Sequence, residues 1–201
     1  MVKFSYLCDV IQIQRYSEMN EFEIKRMTEL VLYVLGKGEY ITQYYLYKIL
    51  YFAERKHLAR WGRGIMPGEF HAWECGPVPK KIYGGVKHYA DGIWPIDIAL
   101  KSVLRRADKD MGDYLIPLRA ADMDYISQSE AEAIDESFAE NIGLDVSSLM
   151  RKSHDTAWLK AWLQGRDTAI RSTDIARAEG ANDSMIDYIA ETEAVRIALE
   201  Q

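Results

Sequence analysis

Two apolar stripes with helical spacing, each preceded by a capping residue and followed by a pair of glycines, constrain this chain most. Asn20 stands three residues before Glu23, the spacing of a capping box. Behind it Ile24, Met27, Leu30, Val31, Val34 and Leu35 recur at steps of three, three, one, three and one. That rhythm places them on one face of a helix, which Gly36 and Gly38 end. Thr42 then opens a second helix through about Arg60, with Leu46, Ile49, Leu50, Ala53 and His57 on one side and Gly62 and Gly64 at its stop. Two helices joined by so short a turn form an αα-hairpin, an outline shared by helix-turn-helix proteins and many helical domains without DNA contact.

Further along, IMPGEFHAWEC (residues 65–75) alternates as a short strand or half of a small hairpin. Gly-Pro-Val-Pro at 76–79 then predicts a corner, with Val78 to Tyr89 helical. Residues 93–118 hold two β-leaning patches, IWPIDI and YLIPL. Ser127 with Glu130 is a second capping box, for a helix that Gly143 closes, and Asp145 starts a shorter one. The stretch SHDTAWLKAWL follows, and Asn182 to Gln201 reads as an amphipathic helix using Met185, Ile186, Ile189, Ala190 and Val195. The fold class is mainly α, a helical domain with a small antiparallel β element. Its weak point is Gln164 to Thr173, which divides the chain into an N-terminal segment 1–21, a domain 22–165 and a C-terminal extension 166–201.

The 201 residues suffice for a real core. No apolar run approaches the ~20 residues of a membrane span, and Asp9 and Gln12 interrupt the N-terminal stretch where a signal peptide would be apolar. Two cysteines, Cys8 and Cys75, form no disulfide framework, which fits a reducing cytoplasm. Net charge is −6, divided into +4 for residues 1–89 and −10 for residues 90–201. So acidic a second half argues against DNA or RNA as the main ligand, because phosphate binding needs a basic surface.

His71 and Cys75 pose the question of a nucleophile with its base. On one strand they would lie about 13 Å apart, too far for a thiolate–imidazolium pair. His154 and Asp155 offer a distant base and orienter that no spacing places beside Cys75. The expected role of Cys75 is a small buried residue before a turn. The four histidines and two cysteines show no metal-ligand spacing, and no glycine pair forms a phosphate cradle, so neither metal nor cofactor is expected. Tyr44, Tyr45, Tyr47, Tyr51 and Phe52 span most of the second helix's circumference. They form either a partner surface or a small aromatic core. As partner-binding candidates we single out Tyr44, Tyr47, Tyr51, Trp73, Lys81 and Tyr83.

Residues 48–83, KILYFAERKHLARWGRGIMPGEFHAWECGPVPKKIY, resemble the Panacea domain of SocA-like antitoxins. The resemblance rests on Lys48, Leu50, Tyr51, Phe52 and Ala53, on Gly76, Pro77 and Val78, and on Ile82 and Tyr83. The later SQSEAEAIDESF segment and the His154…Trp158 pair extend it over roughly residues 22–165. It implies a mainly helical, non-enzymatic antitoxin, encoded beside a toxin in bacteria or their phages and acting by direct binding of that toxin. One related member is instead an adaptor that delivers its toxin to an AAA+ protease, and that activity is the alternative here. Less favoured alternatives are a small cysteine hydrolase and a DNA-binding autoregulator.

Overall fold

In the computed structural model, residues 19–107 and 113–199 are described. Cys8 and the N-terminal stretch read above for a signal peptide lie outside them.

The two capped stripes form α1 (Glu21–Leu35) and α2 (Gln43–Trp61). The Asn20 side chain accepts from the Glu23 amide at 2.9 Å, and Glu23 accepts from the Asn20 amide at 3.3 Å. Thr42 caps α2, and Gly62 ends it at φ 64°, a left-handed position suited to glycine. All nine residues from Leu46 to Glu54 are buried. A stretch covered all round needs no polar face, so Tyr47, Tyr51 and Phe52 are enclosed there, while Tyr44 and Tyr45 in the first turn are half-buried. The aromatic core is the arrangement found.

The polypeptide then forms β1 (Phe70–Trp73) and β2 (Gly76–Pro79). These pair antiparallel, with Phe70 opposite Pro79 and Trp73 opposite Gly76. The corner expected at 76–79 is therefore a strand, and the next helix, α3 (Lys80–His88), starts at Lys80, not Val78. The register explains how two prolines fit. The Lys80 amide donates to the Glu69 carbonyl, and hydrogen-bonded positions alternate along an antiparallel pair. Pro77 and Pro79 thus occupy the positions whose nitrogens face away from β1. Strand β2 is an edge of the sheet, where such prolines are tolerated.

The IWPIDI patch also departs from expectation: Pro95 opens α4 (Pro95–Val103) from the first-turn position that suits proline. Its Asp97 accepts from the Trp94 amide at 3.1 Å. Strands β3 (Leu104–Arg106) and β4 (Leu115–Pro117) form a separate antiparallel pair, the second lying within the expected YLIPL. Helices α5 (Gln128–Asn141), α6 (Val146–Ser153) and α7 (Thr156–Trp162) start at the caps Ser127, Asp145 and Asp155.

The stretch 164–173 contains β5 (Thr168–Ala169), which pairs with β1 through His71 opposite Ala169. Then α8 (Ser172–Ala178) buries Ile175 and Ala176, and α9 (Asp183–Leu199) buries Ile186 and Ile189. All four side chains belong to the same core as α1 and α2. The fold is mainly α with small antiparallel sheets.

Candidate docking face

The β1–β2 turn is held from below by α2. Lys48 is 1% exposed and donates from Nζ to the Pro77 carbonyl at 2.9 Å. That carbonyl faces away from β1 and has no strand partner on its side, so the lysine supplies the missing donor. Gly76 sits at φ 97°, and a Cβ there would lie 2.5 Å from Ser153 Oγ and 2.8 Å from Lys48 Nζ. Above the turn, Tyr44 donates its hydroxyl to the Cys75 carbonyl at 3.4 Å, and His154 meets the Glu74 backbone.

Burial pulls the Lys48 ammonium down to about 7, against an opposing influence from Cys75. An unfolded lysine titrates near 10.4, so between about pH 7 and 10 the unfolded state binds the extra proton. Stability contributed through Lys48 therefore rises as pH rises through that window and is lowest below it. Lys48→Met removes this dependence. The stability of the wild type relative to Lys48→Met is expected to grow by roughly 1 kcal/mol per pH unit from pH 7 to 9. Urea melts of both proteins across that range check it, and a constant difference contradicts it.

Asp155 ties α7 to α2, and Arg55 extends the link to α8. It accepts from the Trp158 amide at 2.9 Å as cap of α7, from the Tyr51 hydroxyl at 2.8 Å and from Arg55 at 3.0 Å. Arg55 also donates to the Ala178 carbonyl and pairs with Glu179 at the end of α8. From the end of α6 into α7 the rings continue as a ladder: His154 lies flat on Trp158 at 3.8 Å, and Trp158 is stacked at 5.5 Å on Trp162. Trp158 Nε1 donates to the Trp73 carbonyl at 2.9 Å, joining the ladder to the hairpin.

Where ladder and hairpin meet, Trp73, Glu74, Trp162, Arg166 and Asp167 line an open cleft of about 260 Å³. Asp167 organises its rim from φ 65°, a left-handed conformation that is strained for most side-chain-bearing residues. It accepts from Trp73 Nε1 at 2.8 Å and from Lys80, and His71 Nδ1 lies 2.9 Å from its carboxylate. Burial pushes the Asp167 carboxyl up, but the hydrogen bonds from Lys80 and Trp73 outweigh it and leave it below its ordinary range. Trp73 in turn meets Tyr83 edge-on at 4.6 Å, and Lys87 lies over the Tyr83 ring. Aromatic planes beside an arginine and carboxylates make a surface suited to anchoring a protein side chain.

The family model described as antitoxin SocA-like, Panacea domain, matches residues 46–159. The chain belongs to that family. No curated protein and no solved structure matches it.

The residues that carry the Panacea resemblance form one packing unit in this chain. Lys48 holds Pro77, Gly76 admits Lys48 and Ser153, Leu50, Phe52 and Val78 are buried in the core, and His154 stacks on Trp158. Two of the six partner-binding candidates are corrected. Tyr51 is 0% exposed and Tyr47 is 4% exposed, so neither presents a surface to a partner. Both lie on the central helix, whose every side is covered. Tyr44, Trp73, Lys81 and Tyr83 are half-buried. Trp73 and Tyr83 touch, Tyr44 stands at the turn, and Lys81 lies over Gly68.

Cys75 is exposed at the turn and not packed in the core as expected. His71 faces Asp167, and the hydrogen bonds of its ring run there. Cys75→Ser is expected to change stability by less than about 0.5 kcal/mol, as for other exposed positions; a larger loss in a thermal melt contradicts that placement. Trp162, Arg166 and Asp167 escaped the sequence reading, since Trp162 at the end of α7 and Arg166 and Asp167 in the loop before β5 meet the hairpin only through long-range packing. One signal was present: Trp158 and Trp162 are four apart, the spacing of neighbours on one helix face.

Proposed function

We propose that this Panacea-domain chain is an antitoxin that neutralises its toxin by direct protein contact, in the cytoplasm and without catalysis. Membership of the SocA-like antitoxin family carries this reading. The contact face is the cleft between Trp73 and Trp162, with Glu74 at the hairpin tip, Tyr83 beside it and Arg166 and Asp167 on the rim. Large planar side chains on a sheet and helix that are fixed by buried hydrogen bonds give contact area at little entropic cost. The opposing polar groups orient the partner. The acidic second half of the chain complements a basic toxin, such as one that acts on RNA or ribosomes. Among the described residues no helix is long and apolar enough to cross a membrane, and no cluster of three or more His, Cys, Asp or Glu side chains is arranged to hold a metal.

Co-expression with the product of the adjacent reading frame tests the reading. Wild type is expected to restore growth of cells that this product arrests. Glu74→Arg, at an exposed turn position, is expected to fold normally and to weaken binding about ten-fold or more. Full protection by a folded Glu74→Arg variant with unchanged affinity moves the contact face elsewhere, and no protection by wild type overturns the antitoxin reading.

A further inference from the structure

The cleft leaves two opposite charges unused. Asp167 is engaged by Lys80, Trp73 and His71, and Lys160 on α7 pairs with Asp174 at 2.7 Å. Glu74 at the hairpin tip and Arg166 in the loop after α7 line the same cleft, and both are exposed. Among the described residues neither enters an ion pair or a side-chain hydrogen bond, with each other or with a neighbour. The apolar lining beside them is fixed: Trp73 is bonded through Nε1 to Asp167, and Trp162 is stacked on Trp158. In water the two charges stay solvated. Under a partner that covers the cleft each loses its water, and a covered charge without an opposite one is heavily penalised.

What covers the cleft must therefore carry both signs. A phosphate backbone would suit Arg166 but meet Glu74 and Asp167. A small molecule in so open a cleft would keep much of its surface in water, unlike a ligand in a closed pocket. A second copy repeats the charges, and a two-fold pairing could set each Glu74 against an Arg166. Two concave faces, however, leave the indoles uncovered. A protein segment that projects into the cleft meets every requirement. We propose that the toxin inserts such a segment, with a Lys or Arg against Glu74, an Asp or Glu against Arg166 and an apolar side chain on the indoles. The proposal rests on the antitoxin reading and its contact face, and adds the chemistry of the partner: Arg166 selects an acidic residue that a uniformly basic surface lacks.

The test uses the full chain and, as probe, the purified product of the adjacent reading frame whose toxicity the wild type relieves. Arg166→Glu and Glu74→Arg are compared with wild type by calorimetry. Both are expected to keep the wild-type melting temperature, because both side chains are exposed and unpaired. Each is expected to bind the probe about ten-fold more weakly or worse, since each sets like charges against each other. Arg166→Gln, which removes the charge without reversing it, is expected to weaken binding in the same direction and by less. It decides the sign should the reversal lower the melting temperature. Tighter or unchanged binding by the Arg166 variants, with Glu74→Arg weakened, overturns the proposal and leaves the cleft as the contact face of a uniformly basic partner. Unchanged binding by all three overturns the proposal and moves the contact face, with the antitoxin reading intact. Dimerisation of wild type in sedimentation, lost in Arg166→Glu with probe binding unchanged, assigns the cleft to a second copy and also overturns it. Failure of wild type itself to relieve the toxicity removes the antitoxin reading and the proposal with it.

Discussion

Asp155→Ala is expected to cost about 2–4 kcal/mol, because one carboxylate satisfies three donors from two helices and its loss leaves the buried Tyr51 hydroxyl without an acceptor and α7 without its cap. Tyr51 loses its acceptor inside the core, Arg55 keeps only its bonds to α8, and α7 loses its cap. The cap alone is worth about 1 kcal/mol. Asp155→Asn retains an acceptor for Trp158 or Tyr51 but not the charge opposite Arg55, so its cost is expected to fall between wild type and alanine. Urea denaturation of the three proteins gives the order. If both variants lie within about 1 kcal/mol of wild type, the helices are held by apolar packing alone.

Gly76→Val is the second large effect. A valine at φ 97° occupies a backbone conformation that β-branched residues avoid, and its Cβ would start 2.5 Å from Ser153 Oγ and 2.8 Å from Lys48 Nζ. Backbone strain alone costs on the order of 1–3 kcal/mol. Displacing Lys48 also deprives the Pro77 carbonyl of its donor, which brings the expected total to about 3 kcal/mol. For a chain of this length that lowers the melting temperature by about 6–12 °C. Gly76→Ala carries the same strain with a smaller side chain and is expected to lie between. A melt of Gly76→Val that matches wild type would mean that the turn relaxes without loss.

These two sites differ in how legible they were. Asp155 caps α7 by the same local signal that marked Asn20, Thr42, Ser127 and Asp145, although the sequence reading took it only as an orienter of His154. What Asp155 also does, joining Tyr51 and Arg55, depends on contacts across a hundred residues that no local pattern encodes. At Gly76 a break in the chain's course was visible as a corner, but the close approach of Lys48 and Ser153 that requires glycine there was not. Gly-Pro-Val-Pro misled because proline is read as a strand breaker. It is compatible with an edge strand when its nitrogens face outward, and only the register reveals that. IWPIDI misled for the complementary reason: β-branched letters were weighed above a proline in the first turn of α4.

The tyrosines of α2 show the limit of periodicity. A circumferential spread of aromatics is the same string whether the helix is buried all round or lies on a surface; the covering elements decide, and here they cover Tyr47 and Tyr51. The cleft was half legible, through Trp73 and Tyr83. Its other half is Trp162 at the end of α7 and Arg166 and Asp167 in the loop before β5, the latter two within the stretch expected to separate domain from extension.

The central claim is that neutralisation works by direct contact between this chain and its toxin. Its most direct test is to mix the purified full chain with the purified product of the adjacent reading frame and to measure the mass of the resulting species by light scattering after gel filtration. The account predicts a stable complex that contains both proteins and that the Glu74→Arg variant forms less tightly. Growth rescue in cells with no complex between the purified proteins at micromolar concentration would contradict it.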